Sequence, residues 1–72
     1  MSNTALQIKK LSKINVPTEH QENGIVAVQL IEVTCNFFGK MIKEIMDTKI
    51  MSDGRQIVID GNGYLKAGTE IQ

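Results

Sequence analysis

IVAVQLIEVTCNFFGKMIKEIMDTKI, residues 25–50, is the longest stretch with a regular placement of apolar and polar positions, and its reading decides the fold. At roughly 100° per residue, Gln29, Glu32, Asn36, Lys40, Lys43 and Asp47 fall on one narrow stripe, spaced 3, 4, 4, 3 and 4. Val28, Ile31, Cys35, Phe38, Ile42 and Ile45 make one apolar flank beside it, and Val26, Leu30, Val33, Phe37 and Met41 make another. The spacing predicts a long amphipathic helix with two faces to bury. The β-branched cluster Ile25, Val26, Val28, Ile31 and Val33 lowers local helix propensity, but the polar stripe outweighs it in this reading. Gly39 is assigned to close approach of another backbone.

Outward from this stretch, Ser52, Asp53 and Gly54 gather as turn residues and end the helix, with Gly54 able to take the left-handed C-terminal position. A β-hairpin is predicted next, Arg55 to Asp60 against Tyr64 to Ile71 around Gly61, Asn62 and Gly63. That loop pairs Ile59 with Leu65 and Ile57 with Ala67, putting Ile57, Ile59, Leu65, Ala67 and Ile71 on the buried face and turning Val58 and Tyr64 away from it. Before the long stretch, Pro17 to Gly24 is polar and reads as a connection. Residues 1–16 read as an extended segment, because Ile14, Val16 and the position before Pro17 favour β geometry, with a short helix over Ala5 to Lys13 as the alternative.

The predicted fold class is α+β within one small domain: the long helix, the C-terminal hairpin packed on it, and an N-terminal strand where that segment is extended. A helix over residues 25–50 would be about 39 Å long, whereas a compact domain of this size is roughly 28 Å across. The hairpin covers only one flank, so a homodimer or larger homo-oligomer is expected, with Val28, Ile31, Cys35, Phe38, Ile42 and Ile45 at its interface. The size points the same way. A chain of 72 residues is short for an independent core, one cysteine excludes an intrachain disulfide, and one histidine with one cysteine cannot build the usual zinc shell.

Eight Lys plus Arg balance eight Asp plus Glu, so no long-range pull toward nucleic acid or an anionic membrane is built into the whole chain. Neither a leader-like N-terminus nor an apolar run near twenty residues is visible, and a cytoplasmic protein away from membranes is the expectation. No catalytic constellation appears. His20 stands among Glu19 and Glu22 in a polar connection, and Cys35 on an apolar flank has no second histidine to activate it. Asp60, Asn62 and Tyr64 echo a calcium loop but lack its glycine and its final glutamate, and neither Gly39-Lys40 nor Gly61-Asn62-Gly63 completes a phosphate-binding motif. No cofactor and no metal are therefore expected.

Lys9, Lys10, Lys13, Lys40, Lys43 and Tyr64 are the candidate contacts to a ligand or partner. The resulting functional expectation is a non-catalytic, homo-oligomeric binding protein acting stoichiometrically, of accessory or inhibitor type, that engages a protein partner or a small anionic, nucleotide-like ligand at a subunit interface. A short chain beginning at Met1 suits the small accessory proteins that phages and mobile elements encode. The alternative is a dimeric nucleic-acid-binding regulator using Lys9, Lys10 and Lys13.

Overall fold

The computed structural model describes residues 7–61 and 65–71, with the side chain of Phe37 left aside. Among them there is no α-helix. Five strands, β1 (Gln7–Asn15), β2 (Ile25–Phe37), β3 (Lys40–Met51), β4 (Gln56–Val58) and β5 (Glu70–Ile71), form one antiparallel sheet in the order β1-β2-β3-β4-β5. The long helix and the α+β class are thus overturned in favour of an all-β meander. Of the thirteen residues of β2, six are β-branched, and this cluster fits a pleated sheet better than a helical surface.

The residues read as one helix are two strands joined by a two-residue turn. Phe37 pairs with Lys40, and the turn residues Phe38 and Gly39 have φ of 52° and 79°, the left-handed region that a tight hairpin of matching twist demands. A Cβ added to Gly39 would meet nothing within 4 Å, so φ, and not close approach of another backbone, accounts for this glycine. Thirteen residues of extended chain span about 43 Å, and the molecule measures 46 × 21 × 16 Å with a radius of gyration of 13.6 Å. Its length comes from this hairpin.

Strand alternation sorts the side chains onto two faces. The inner face carries Ala27, Ile31, Val33 and Cys35 from β2, Met46 and Thr48 from β3, and Gln56 and Val58 from β4, all buried. The C-terminal segment folds over it, and Ile31, Val33, Met46, Val58, Leu65 and Ile71 pack as one cluster with Ile8 against its margin. Gly61 lets this segment pass, since a Cβ there would press on the backbone of Leu65, Lys66 and Ala67.

Two further expectations change with the fold. Gly54 has φ of 96° and does occupy a turn, but one between strands: the Met51 N–H donates to the Arg55 carbonyl, and Asp53 Oδ1 accepts the Arg55 N–H at 3.1 Å. The C-terminal pairing is Gln56 with Ile71 and Ile57 with Glu70, not Ile57 with Ala67. Inner and outer sides of β4 are therefore exchanged relative to the sequence reading. Val58, predicted to face away, is 1% exposed, and Ile59, predicted to be buried, is 39% exposed. The alternating side-chain period makes an error of one position reverse a whole strand. Asn62, Gly63 and Tyr64 lie outside the described residues. Between β1 and β2, Pro17 to Gly24 makes the expected connection with a 3₁₀ turn over Thr18–His20, and of the extended segment expected before it Gln7–Asn15 is β1, while residues 1–6 lie outside the described residues.

Candidate functional site

The sheet is not equally wide along its length. β1 reaches Thr34 through Gln7, and β4 pairs with β3 only over Thr48 to Ile50. Beyond these, among the described residues, β2 and β3 continue as a two-stranded arm ending at Phe38 and Gly39. The Gly39 N–H donates to Asn36 Oδ1 at 3.0 Å, which closes the tip. Phe38 stands on that tip 89% exposed, and its φ of 52° is the single positive value among the described residues other than glycine. For a bulky side chain this conformation is strained.

The outer face of the sheet is the second feature. Ile14, Leu30, Met41, Ile45 and Ile59 all point to it and stay 67, 37, 61, 56 and 39% exposed. Around them lie half-buried Val28 and Ile57, and a shallow depression of about 220 Å³ opens beside Ser12, Ile14, Val28, Leu30 and Asp47. Charges are interleaved with these apolar groups: Lys9 faces Glu32 across β1 and β2, Asp47 lies opposite Leu30, and Lys49 lies between Val28 and Ile57.

A buried polar chain fixes how the two faces are aligned. β1 carries a bulge between Lys10 and Lys13, and Gln29 Nε2 donates to the Leu11 carbonyl there at 3.1 Å. Gln56 Nε2 donates to Gln29 Oε1 at 3.0 Å and to Thr48 Oγ1 at 2.8 Å, and the Thr48 hydroxyl donates to the Gln29 carbonyl at 2.8 Å. Four strands are tied together by three side chains. Such a chain satisfies the bulge and costs little while every member is paired.

The residues singled out from the sequence disperse over this framework. Of the expected interface row, Ile31 and Cys35 are sealed inside the inner face at 0 and 4% exposure, Ile42 is half-buried, Phe38 is at the arm tip, and only Val28 and Ile45 reach the outer face. The basic candidates do not converge either. Lys9 and Lys43 align with the outer face through Glu32 and Thr34, whereas Lys10, Lys13 and Lys40 align with the inner one through Ile31, Gln29 and Phe37. Among the described residues no group of three His, Cys, Asp or Glu could hold a metal ion. His20 is exposed on the 3₁₀ turn. Asp53 has its carboxyl held below the usual 3.8, chiefly by the Arg55 N–H it accepts, against a smaller opposing effect of desolvation and with help from the Arg55 guanidinium 2.8 Å away. This pair belongs to the β3–β4 turn.

Sequence reasoning passed over the arm tip because Phe38 was counted with the helix flank. The Phe-Gly pair inside a β-branched stretch was the available signal, weaker than Asn-Gly. No helix among the described residues is long and apolar enough to cross a membrane. Compared with protein-family models, curated proteins and solved structures, the chain gives no match.

Proposed function

We propose that this chain is a non-catalytic binding protein that acts stoichiometrically, occupying a site on a protein partner with the tip of its β2–β3 arm. The observation that carries this reading is Phe38, 89% exposed on a strained backbone. Asparagine or glycine would close the same turn more easily, and a ring 89% exposed buries little apolar surface within the chain. Docking repays both costs. Burying a phenylalanine side chain contributes about 2–3 kcal/mol, and a rigid aromatic at the end of a projecting element is a natural anchor for a protein pocket.

A protein partner suits the arm better than an anionic ligand or nucleic acid. The lysines are divided between two faces, and those of the outer face are interleaved with Glu32 and Asp47, so the counterion release that drives phosphate binding is weakly supported. The buried, free Cys35 accords with a reducing compartment, and we take the cytoplasm as the site of action.

The test is capture of cellular proteins on immobilised wild type and Phe38→Asn chains, followed by titration of any protein retained. A partner held one-to-one by the wild type and weakened at least about tenfold by the substitution, with folding intact, supports the reading. Identical capture by both chains, or turnover of a substrate by the purified protein, refutes it.

A further inference from the structure

Among the described residues the C-terminal segment covers one side of the sheet, and the other side, apart from buried Thr34, keeps exposed apolar side chains. A single sheet with its C-terminal segment folded over one face spans only 16 Å along its shortest axis, while two packed sheets lie about 10 Å apart and seal an apolar layer between them. The outer face supplies half of such a layer: Ile14, Leu30, Ile45 and Ile59 are exposed around Val28 and Ile57. We infer that this face is closed by a second copy of the chain, packed face to face about a two-fold axis that sets Asp47 of each copy against Lys49 of the other.

Charge decides between a second copy and an unrelated partner. Asp47 and Lys49 stand two residues apart on the same side of β3, both within the apolar group. Covering them with an apolar surface would strand two charges, which is expensive unless each is matched. A copy rotated by 180° about an axis crossing β3 at the level of Thr48 matches both at once, acid on base and base on acid. The net charge of zero removes long-range repulsion between copies.

Area is sufficient. The axis at Thr48 overlaps roughly nine residues of strand length, about 28 Å, across a sheet 21 Å wide. That buries roughly 600 Å² per copy, near the lower end of specific interfaces. The interface is isologous and closes on itself, so it yields a dimer and not a filament. It also points the two arms in opposite directions, leaving both Phe38 tips outside the covered region. The dimer rests on the outer face alone and stands or falls independently of what Phe38 binds.

Sedimentation velocity of the full chain from micromolar to millimolar concentration tests this. The wild type should move to twice its 8.0 kDa mass as concentration rises. Ile45→Asp should weaken the dimer at least about tenfold without changing the circular dichroism spectrum, because Ile45 is exposed in the single chain. Asp47→Lys and Lys49→Asp should each weaken it by a similar factor, and the double exchange should restore it to within about threefold of wild type. A chain that stays monomeric throughout overturns the proposal. So does a dimer that survives Ile45→Asp but is lost on Lys43→Pro: Asp47 turns its carbonyl to the β4 side, Lys43 on the same alternation directs its N–H to that edge, which β4 leaves unpaired there among the described residues, and that pattern means edge-to-edge pairing.

Discussion

Phe38→Asn should make the protein more stable. The wild-type residue holds φ at 52°, where an L-residue with a bulky side chain costs about 1–2 kcal/mol and asparagine, enriched several-fold in this region, costs about 1 kcal/mol less. Against this stands the packing the ring gives up. At 89% exposure it buries about a tenth of its surface, roughly 20 Å², or about 0.5 kcal/mol at 25 cal/mol/Å². The balance is a gain of about 0.5 kcal/mol, and with 4–8 °C per kcal/mol for a domain of this size Tm should rise by about 2–4 °C. Circular dichroism melts at one fixed concentration, paired with urea titrations to check that m is unchanged, would measure it. A Tm lowered by several degrees would refute the reasoning, because it would mean that the ring supports the fold or that the turn is not the one described. Stability gained together with partner affinity lost is the outcome that would mark Phe38 as a binding residue.

Other predictions test the body of the sheet. Ile31, 0% exposed at the centre of the apolar cluster, should cost about 1 kcal/mol as Val and about 2–5 kcal/mol as Ala in urea unfolding, the latter a large share of a small domain's stability. Thr48→Val keeps the shape but removes an acceptor from the buried Gln56 amide, and should cost about 1–3 kcal/mol by the same assay. Val58→Asp should prevent folding while Ile59→Asp leaves the circular dichroism spectrum intact, a contrast that the opposite β4 register would reverse. Asp53 has a depressed folded pKa, so its contribution is complete above the ordinary 3.8 and is lost as pH falls through the lower folded value. The Tm difference between wild type and Asp53→Ala should therefore be constant at neutral pH and shrink below about 3.8; a gap that widens on acidification would contradict this assignment.

The hairpin hid behind a helix pattern for a reason that lies in its outer face. A half-buried strand advertises itself by alternation, but here Val28, Leu30 and Ile45 fill outer positions that would ordinarily be polar, and Gln29 occupies an inner one. Gln29 is tolerated inside because the Leu11 carbonyl and the Gln56 amide satisfy it, contacts between residues 18 and 27 positions apart that no local pattern contains. With polar residues inside and apolar ones outside, period two was blurred. Six polar residues on two antiparallel strands then fell by chance at helical spacing. The turns were easier to read. Gly54 carries its reason in its neighbours, Ser52 and Asp53, whereas the Phe38-Gly39 turn places a disfavoured residue where asparagine is usual, and the break between strands went unread.

The same residues explain why the candidate site was only partly visible. Excess apolar surface could be read directly: two flanks on an imagined helix and two faces on the sheet are the same set of side chains counted with different periods. Which of them are exposed could not be read, because burial follows from the C-terminal segment crossing the inner face and not the outer. Leu65 and Ile71 reach Ile31 and Val33 across more than thirty positions of sequence. That one crossing seals Ile31 and Val33 and leaves Ile45 bare. Leu65 and Ile71 thus decide which face of the sheet is covered, and with it which apolar side chains and which charges stay exposed on the other.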